Sequence, residues 1–183
     1  MKKLILTFAL LLVTNISVFA SEPFTLSSPQ VKNGTIATNQ VYNSFGCKGK
    51  NISPSLEWKN PPEGTQSFAI TMFDVDAPTG SGWWHWIVYN IPASTSSLVL
   101  GAGNDPKKLP KGAVQSINDF GFIGFGGPCP PIGAKPHHYI FTIYALNVET
   151  MDLPATTMPA AVGFNIHMHM IDKATFTATY SRK

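Results

Sequence analysis

Phe125 to Leu146 reads FGGPCPPIGAKPHHYIFTIYAL. The first half sets Gly126 and Gly127 beside prolines 128, 130 and 131, with Cys129 among them, and turns at Gly133. Proline fixes φ, so such a loop has little conformational freedom left to lose when it meets a ligand. The second half is rich in β-branched and aromatic residues and holds no breaker, which predicts a strand. On a period of two, His137, Tyr139, Phe141, Ile143 and Ala145 share one face. An imidazole and a phenol therefore stand at the start of an apolar strand face, behind a stiff loop. That is how a small rigid pocket is built.

Two more strands read clearly upstream. Ser67 to Asp74 alternates, with Phe68, Ile70, Met72 and Asp74 on one face. After a turn-rich link over 77–82, Trp83 to Ile91 is apolar on both faces, the pattern of a strand covered on two sides. Strict alternation puts Trp83, His85, Ile87 and Tyr89 together, opposite Trp84, Trp86 and Val88. Shorter strands are expected at 24–27, 56–58, 113–117 and 174–180, and a helix from about Met158 to Ile171, capped by Thr156 or Thr157. Many short strands against one or two peripheral helices predict a mainly β chain folded as a two-sheet antiparallel β-sandwich.

The N-terminus carries a different signal. Lys2 and Lys3 precede an apolar run from Leu4 to Val13 that is too short for a bilayer span, and Val18-Phe19-Ala20 has the small residues of a cleavage site. Residues 1–20 are expected to be a signal peptide and 21–183 a single domain, periplasmic or secreted, with no transmembrane segment. No cysteine follows the expected cut, which disfavours a lipid anchor. Losing the two lysines brings the formal charge from +3 to about +1, and no basic cluster suggests nucleic acid. In an oxidising compartment Cys47 and Cys129 either form a disulfide or remain two small buried thiols, and sequence gives no distance to decide between them.

If the strands at 67–74 and 83–91 form a hairpin, Asp74 and His85 fall on the same sheet rim, and the strand from His137 joins them there. This gathers Asp74, Asp76, His85, His137 and Tyr139, with Trp83, Trp84, Phe125 and prolines as walls. An aromatic, sparsely polar concavity is the usual form of a small-ligand site.

Three separated motifs extend this reading. Asp74-Val75-Asp76-Ala77-Pro78, then Trp84-His85-Trp86 leading to Asn90-Ile91-Pro92, then Gly127-Pro128-Cys129-Pro130-Pro131 with His137 and Tyr139, resemble the phosphatidylethanolamine-binding protein family. The closer match is its bacterial, Raf-kinase-inhibitor-like branch. The resemblance runs from about Phe24 to Arg182 and includes the Gly46–Pro54 segment. It implies a β-sandwich with an anion pocket at one end, lined by Asp74, Pro78, His85, Cys129, Pro131, His137 and Tyr139. That pocket would receive a phosphate or phosphoryl head group, with Asp74 orienting His85 or receiving a ligand ammonium. The chain departs from the family pattern at Val75, where proline is common, and at His138, where arginine is common. Cys129 stands where eukaryotic members carry glycine, and its extra bulk bears on whether a whole phospholipid fits.

The expected function is thus a non-enzymatic binding protein for a small anion, or for a partner protein that presents one, with no cofactor, no metal and no catalytic residue; the sequence names no partner. One alternative is a protease or kinase-pathway inhibitor working by protein–protein contact. Another is a hydrolase with a metal on Asp74, Asp76, His85 and His137, although their spacing matches no common zinc motif. If His85 and His137 meet the anion as imidazolium, affinity should fall as pH rises through their titration.

Overall fold

A computed structural model of the chain describes residues 22–182. The expected signal peptide lies outside the described residues. In chain order the strands are β1 (Thr25–Ser27), β2 (Val31–Lys32), β3 (Thr35–Ile36), β4 (Leu56–Lys59), β5 (Ser67–Asp74), β6 (Trp83–Pro92), β7 (Ser97–Leu98), β8 (Val114–Gln115) and β9 (His137–Leu146); helix α1 (Pro159–His169) and strand β10 (Met170–Tyr180) close the chain. Three strands, β1-β4-β7, form a small sheet, and seven, β2-β3-β10-β9-β5-β6-β8, form a large one. The sandwich expectation holds. Its pairings are antiparallel except where β3 runs parallel to the end of β10 at Thr35 and Thr179.

One core lies between the sheets. Leu26, Leu56, Trp58 and Leu98 of the small sheet meet Phe68, Ile70, Met72, Tyr139, Phe141 and Ile143 of the large one. These are the alternate residues that the period of two assigns to a single face of β5 and β9. The opposite face of the large sheet is covered by α1, whose Val162 and Ile166 pack with Ala69, Ile87, Tyr89 and Tyr144. The helix is shorter than expected and carries no threonine cap. Met158 occupies the cap position without a side-chain hydrogen bond, and β10 takes over at Met170.

Strand β6 departs from strict alternation, for an identifiable reason. Met72 pairs with Trp86 and Phe73 with Trp84, so His85 is an extra residue with no partner on β5. Such a bulge places two successive side chains on one side of the sheet and re-aims them. Trp86 and Val88 accordingly join the core between the sheets, while Ile87, Tyr89 and Trp84 belong to the helix-covered face. The expected grouping of His85 with Ile87 and Tyr89 is corrected by this single inserted residue. The bulge also tips His85 toward the rim.

Candidate binding site at the tips of β5, β6 and β9

The register of the three longest inner strands brings the chemistry together. Asp74 pairs with Trp83 on one side and with Tyr139 on the other. His137 lies two residues before Tyr139, within diagonal reach of Asp74. His137 Nδ1 is 2.7 Å from Asp74 Oδ2, and the backbone N–H of Asp76 donates to Asp74 Oδ1 at 2.9 Å. Both carboxylate oxygens are therefore already engaged, and Asp74 is 3% exposed. Asp74 orients His137 rather than His85, which corrects the role expected for it.

His85 has a different anchor. Its Nδ1 is 2.6 Å from the carbonyl of Gly126, whose own N–H donates back to the His85 carbonyl at 2.9 Å. A carbonyl only accepts, so Nδ1 is the protonated nitrogen of the neutral ring and Nε2 carries the lone pair. Burial, working against the nearby carbonyls and Asp74, pushes His85 down to about 4. Burial thus favours the neutral ring, which works against the imidazolium role expected of His85.

A cavity of about 210 Å³ opens over these groups. Asp74, His85 and His137 form its polar floor, with Pro78, Cys129 and Pro131 at the sides. Six of the seven residues expected in the site therefore line it. Tyr139 does not: it is fully buried behind the floor, with its ring 5.2 Å from that of His85. Its hydroxyl has no aligned hydrogen-bond partner, yet it lies close enough to Asp74 to feel its charge. Its ionisation is pushed far up, first by burial and then by that carboxylate.

The walls differ from expectation in two places. Trp84 turns to the helix-covered face and packs at a tilt against Phe73, while Phe125 enters the core against Trp86. Phe45 and Phe120 stand where those two were expected. Phe120 meets Trp83 and His85 edge to face at 5.3 and 5.2 Å. Its loop is shaped by Asn118, whose Oδ1 accepts the N–H groups of Phe120 and Phe122. Neither phenylalanine sits in a periodic segment, so alternation could not find them.

The proline loop is held from several sides. Asn51 donates to the Phe125 carbonyl at 3.1 Å and accepts the Gly127 N–H at 2.7 Å. A side chain at Gly127 would collide with the Gln40 carbonyl at 2.0 Å, so the close approach requires glycine. Cys129 is bonded to Cys47, which settles the open alternative in favour of the disulfide. Arg182, near the chain's end, braces the same corner by donating to the Gly46 and Phe45 carbonyls at 2.7 and 3.3 Å.

Asp76 leaves the expected cluster. Its Oδ2 accepts the His138 N–H and also meets His138 Nδ1, both at 2.7 Å, in a neighbouring groove with Lys135. This hydrogen bonding to His138 lowers the Asp76 carboxyl below its usual range. The four-residue metal set considered from sequence is not brought together. Among the described residues no cluster of three or more histidine, cysteine, aspartate or glutamate side chains is placed to hold a metal.

Comparison with known proteins gives a consistent picture. The family model described as phosphatidylethanolamine-binding protein matches residues 27–181. The chain is 48% identical over 185 residues to the UPF0098 protein YbcL of Escherichia coli, covering 100% of both sequences. It is 37% identical to a UPF0098 protein of Aquifex aeolicus, over 93% of this chain and 97% of the other. The crystal structure of E. coli YbcL, described as a member of the mammalian PEBP family, superposes with a TM-score of 0.85 at 49% identity, over 87% of this chain and 99% of that one.

Proposed function

This chain belongs to the phosphatidylethanolamine-binding protein family, and on that premise we propose that it is an exported, non-enzymatic binding protein whose rim pocket takes a small phosphoryl-type anion. One observation carries the reading. Two imidazoles line the same largely apolar cavity, each with Nδ1 fixed by a protein acceptor. Aromatic and proline walls exclude water, which strengthens any polar contact made at that floor. About 210 Å³ is below the range that holds drug-sized ligands and suits a head group rather than a whole phospholipid. The cavity's one cysteine is oxidised and so offers no thiolate nucleophile.

Export is part of the same reading. It rests on the basic and apolar N-terminal segment and agrees with the Cys47–Cys129 disulfide, a bond that persists in oxidising compartments. A second reading, in which the anion is presented by a protein partner, draws on the exposed Phe45 at the mouth and the exposed Ile132 next to Pro131. Calorimetry with inorganic phosphate, phosphoethanolamine and ethanolamine separates the possibilities. The reading expects the first two to bind, and His85→Ala or His137→Ala to weaken both at least about tenfold. Binding of ethanolamine alone would replace the anion by a cation. Phosphate binding that survives both substitutions would move the site elsewhere.

A further inference from the structure

Helix α1 is apolar on both sides. Residues 153–171 contain no aspartate, glutamate, lysine or arginine, although the helix forms an outer layer of the fold. Pro159, Val162, Gly163 and Ile166 make its buried side. The opposite side of a surface helix is expected to be polar. Here Ala161, Phe164 and Met168 follow one another along it at spacings of three and four, the pattern of a seam between two packed helices. Phe164 and Met168 are 66% and 64% exposed, and Met158 before the helix and Ile171 after it are 72% and 40% exposed. Among the described residues, four of the ten most exposed large apolar side chains therefore lie between 158 and 171. A helix that is apolar all round is a covered helix.

The chemistry of the stripe selects its cover. A lipid surface holds an interfacial helix through lysines and arginines along its polar side, and α1 has neither. The nearest charges along the chain are Asp152, Asp172 and Lys173, a net negative set that anionic lipid would repel. A second α1 fits better. Laid antiparallel, the two helix dipoles oppose each other, and neither face brings a charge that would be buried unpaired. About a twofold axis near Phe164, Ala161 of one helix falls opposite Met168 of the other, a small side chain against a long adaptable one. The two Phe164 rings then meet at the axis. Size agrees as well. The four exposed side chains offer on the order of 500 Å² of apolar surface per protomer, or about 1,000 Å² for a pair, which reaches the threshold of a stable interface.

We propose that two copies of this chain associate through the outer faces of α1, as an antiparallel helix pair with Phe164 at the twofold axis. The interface is isologous, so it closes at two and leaves no stripe open for a third copy. It uses no residue of the rim cavity and stands independently of what that cavity binds.

Sedimentation equilibrium of the purified protein from roughly 1 to 100 μM tests the association. Twice the monomer mass is expected at the upper end. Phe164→Asp should weaken association at least about 30-fold and leave the circular dichroism of the fold unchanged, because the side chain it replaces is exposed in the single chain. Cysteine cross-linking reads the register. On oxidation Phe164→Cys should join to its own copy, while Ala161→Cys should join to Met168→Cys and not to itself. A monomer across the whole range would overturn the proposal. A dimer that Phe164→Asp leaves intact, or one in which Ala161→Cys joins itself, would also overturn it. Vesicles of zwitterionic and of anionic phospholipid are expected not to carry the protein down. Vesicle binding that Phe164→Asp abolishes would give this face to a membrane instead.

Discussion

The molecule carries the same pair twice. Asp74 with His137, and Asp76 with His138, join the end of β5 to the start of β9 with the same atoms at the same 2.7 Å. Burial separates them. The side chains of the inner pair are 7% and 5% exposed, those of the outer pair 54% and 40%. The inner pair sits below aromatic walls and a disulfide-tied loop, where a polar contact is worth more and an unmet one costs more. The outer pair is bathed in water and screened by salt. Identical contacts on one sheet rim thus differ in consequence because one lies beneath the loop and the other beyond it.

Removing the loop's tie gives the largest expected effect. The disulfide closes a loop of 82 residues, so Cys47→Ser with Cys129→Ser should cost about 4 kcal/mol in chemical denaturation. It should also weaken ligand binding at the inner pair, since Phe45 and Cys129 line that cavity. An unchanged ligand affinity would show that the loop is not what distinguishes the two pairs.

Acid tests the burial itself. His85 beside the inner pair is held at about 4 instead of 6.5, so the unfolded chain takes up the proton first. Its contribution is complete above about pH 6.5 and is lost as pH falls toward 4, amounting to about 3 kcal/mol. Urea titrations across that window should show the loss, and His85→Gln should largely abolish it. Next in size, Asp74→Asn should cost about 2 kcal/mol, while Asp76→Asn should cost no more than about 0.5 kcal/mol. Because the outer carboxyl is held below its usual range, any effect of Asp76 should fade as pH drops through that range. Equal losses at the two positions would erase the contrast.

Much of this arrangement could be read before the fold was known. Alternation placed Asp74 and His137 on inward faces, and chain reversal brought their strand ends together. Three things escaped, each for a physical reason. The bulge at His85 is an insertion in pairing, which appears only when two strands are laid side by side. Phe45 and Phe120 lie in loops whose shape comes from side-chain hydrogen bonds such as those of Asn118, not from a repeat. The choice of His137 over His85 as the partner of Asp74 depends on diagonal register, which composition and spacing do not carry. Trp84 is the instructive case. Parity already set it opposite His85, so its assignment to the pocket ignored a signal that was present.

The central claim is that the inner pair and His85, and not the outer pair, meet a small anion. Imidazole nitrogen resonances measured by NMR while inorganic phosphate is added at pH 6 test it most directly, because the chain has only five histidines. The account predicts that His85 and His137 shift together along one saturating curve while His138, His167 and His169 stay in place. Movement of His138 alone, or of none of the five, would contradict it.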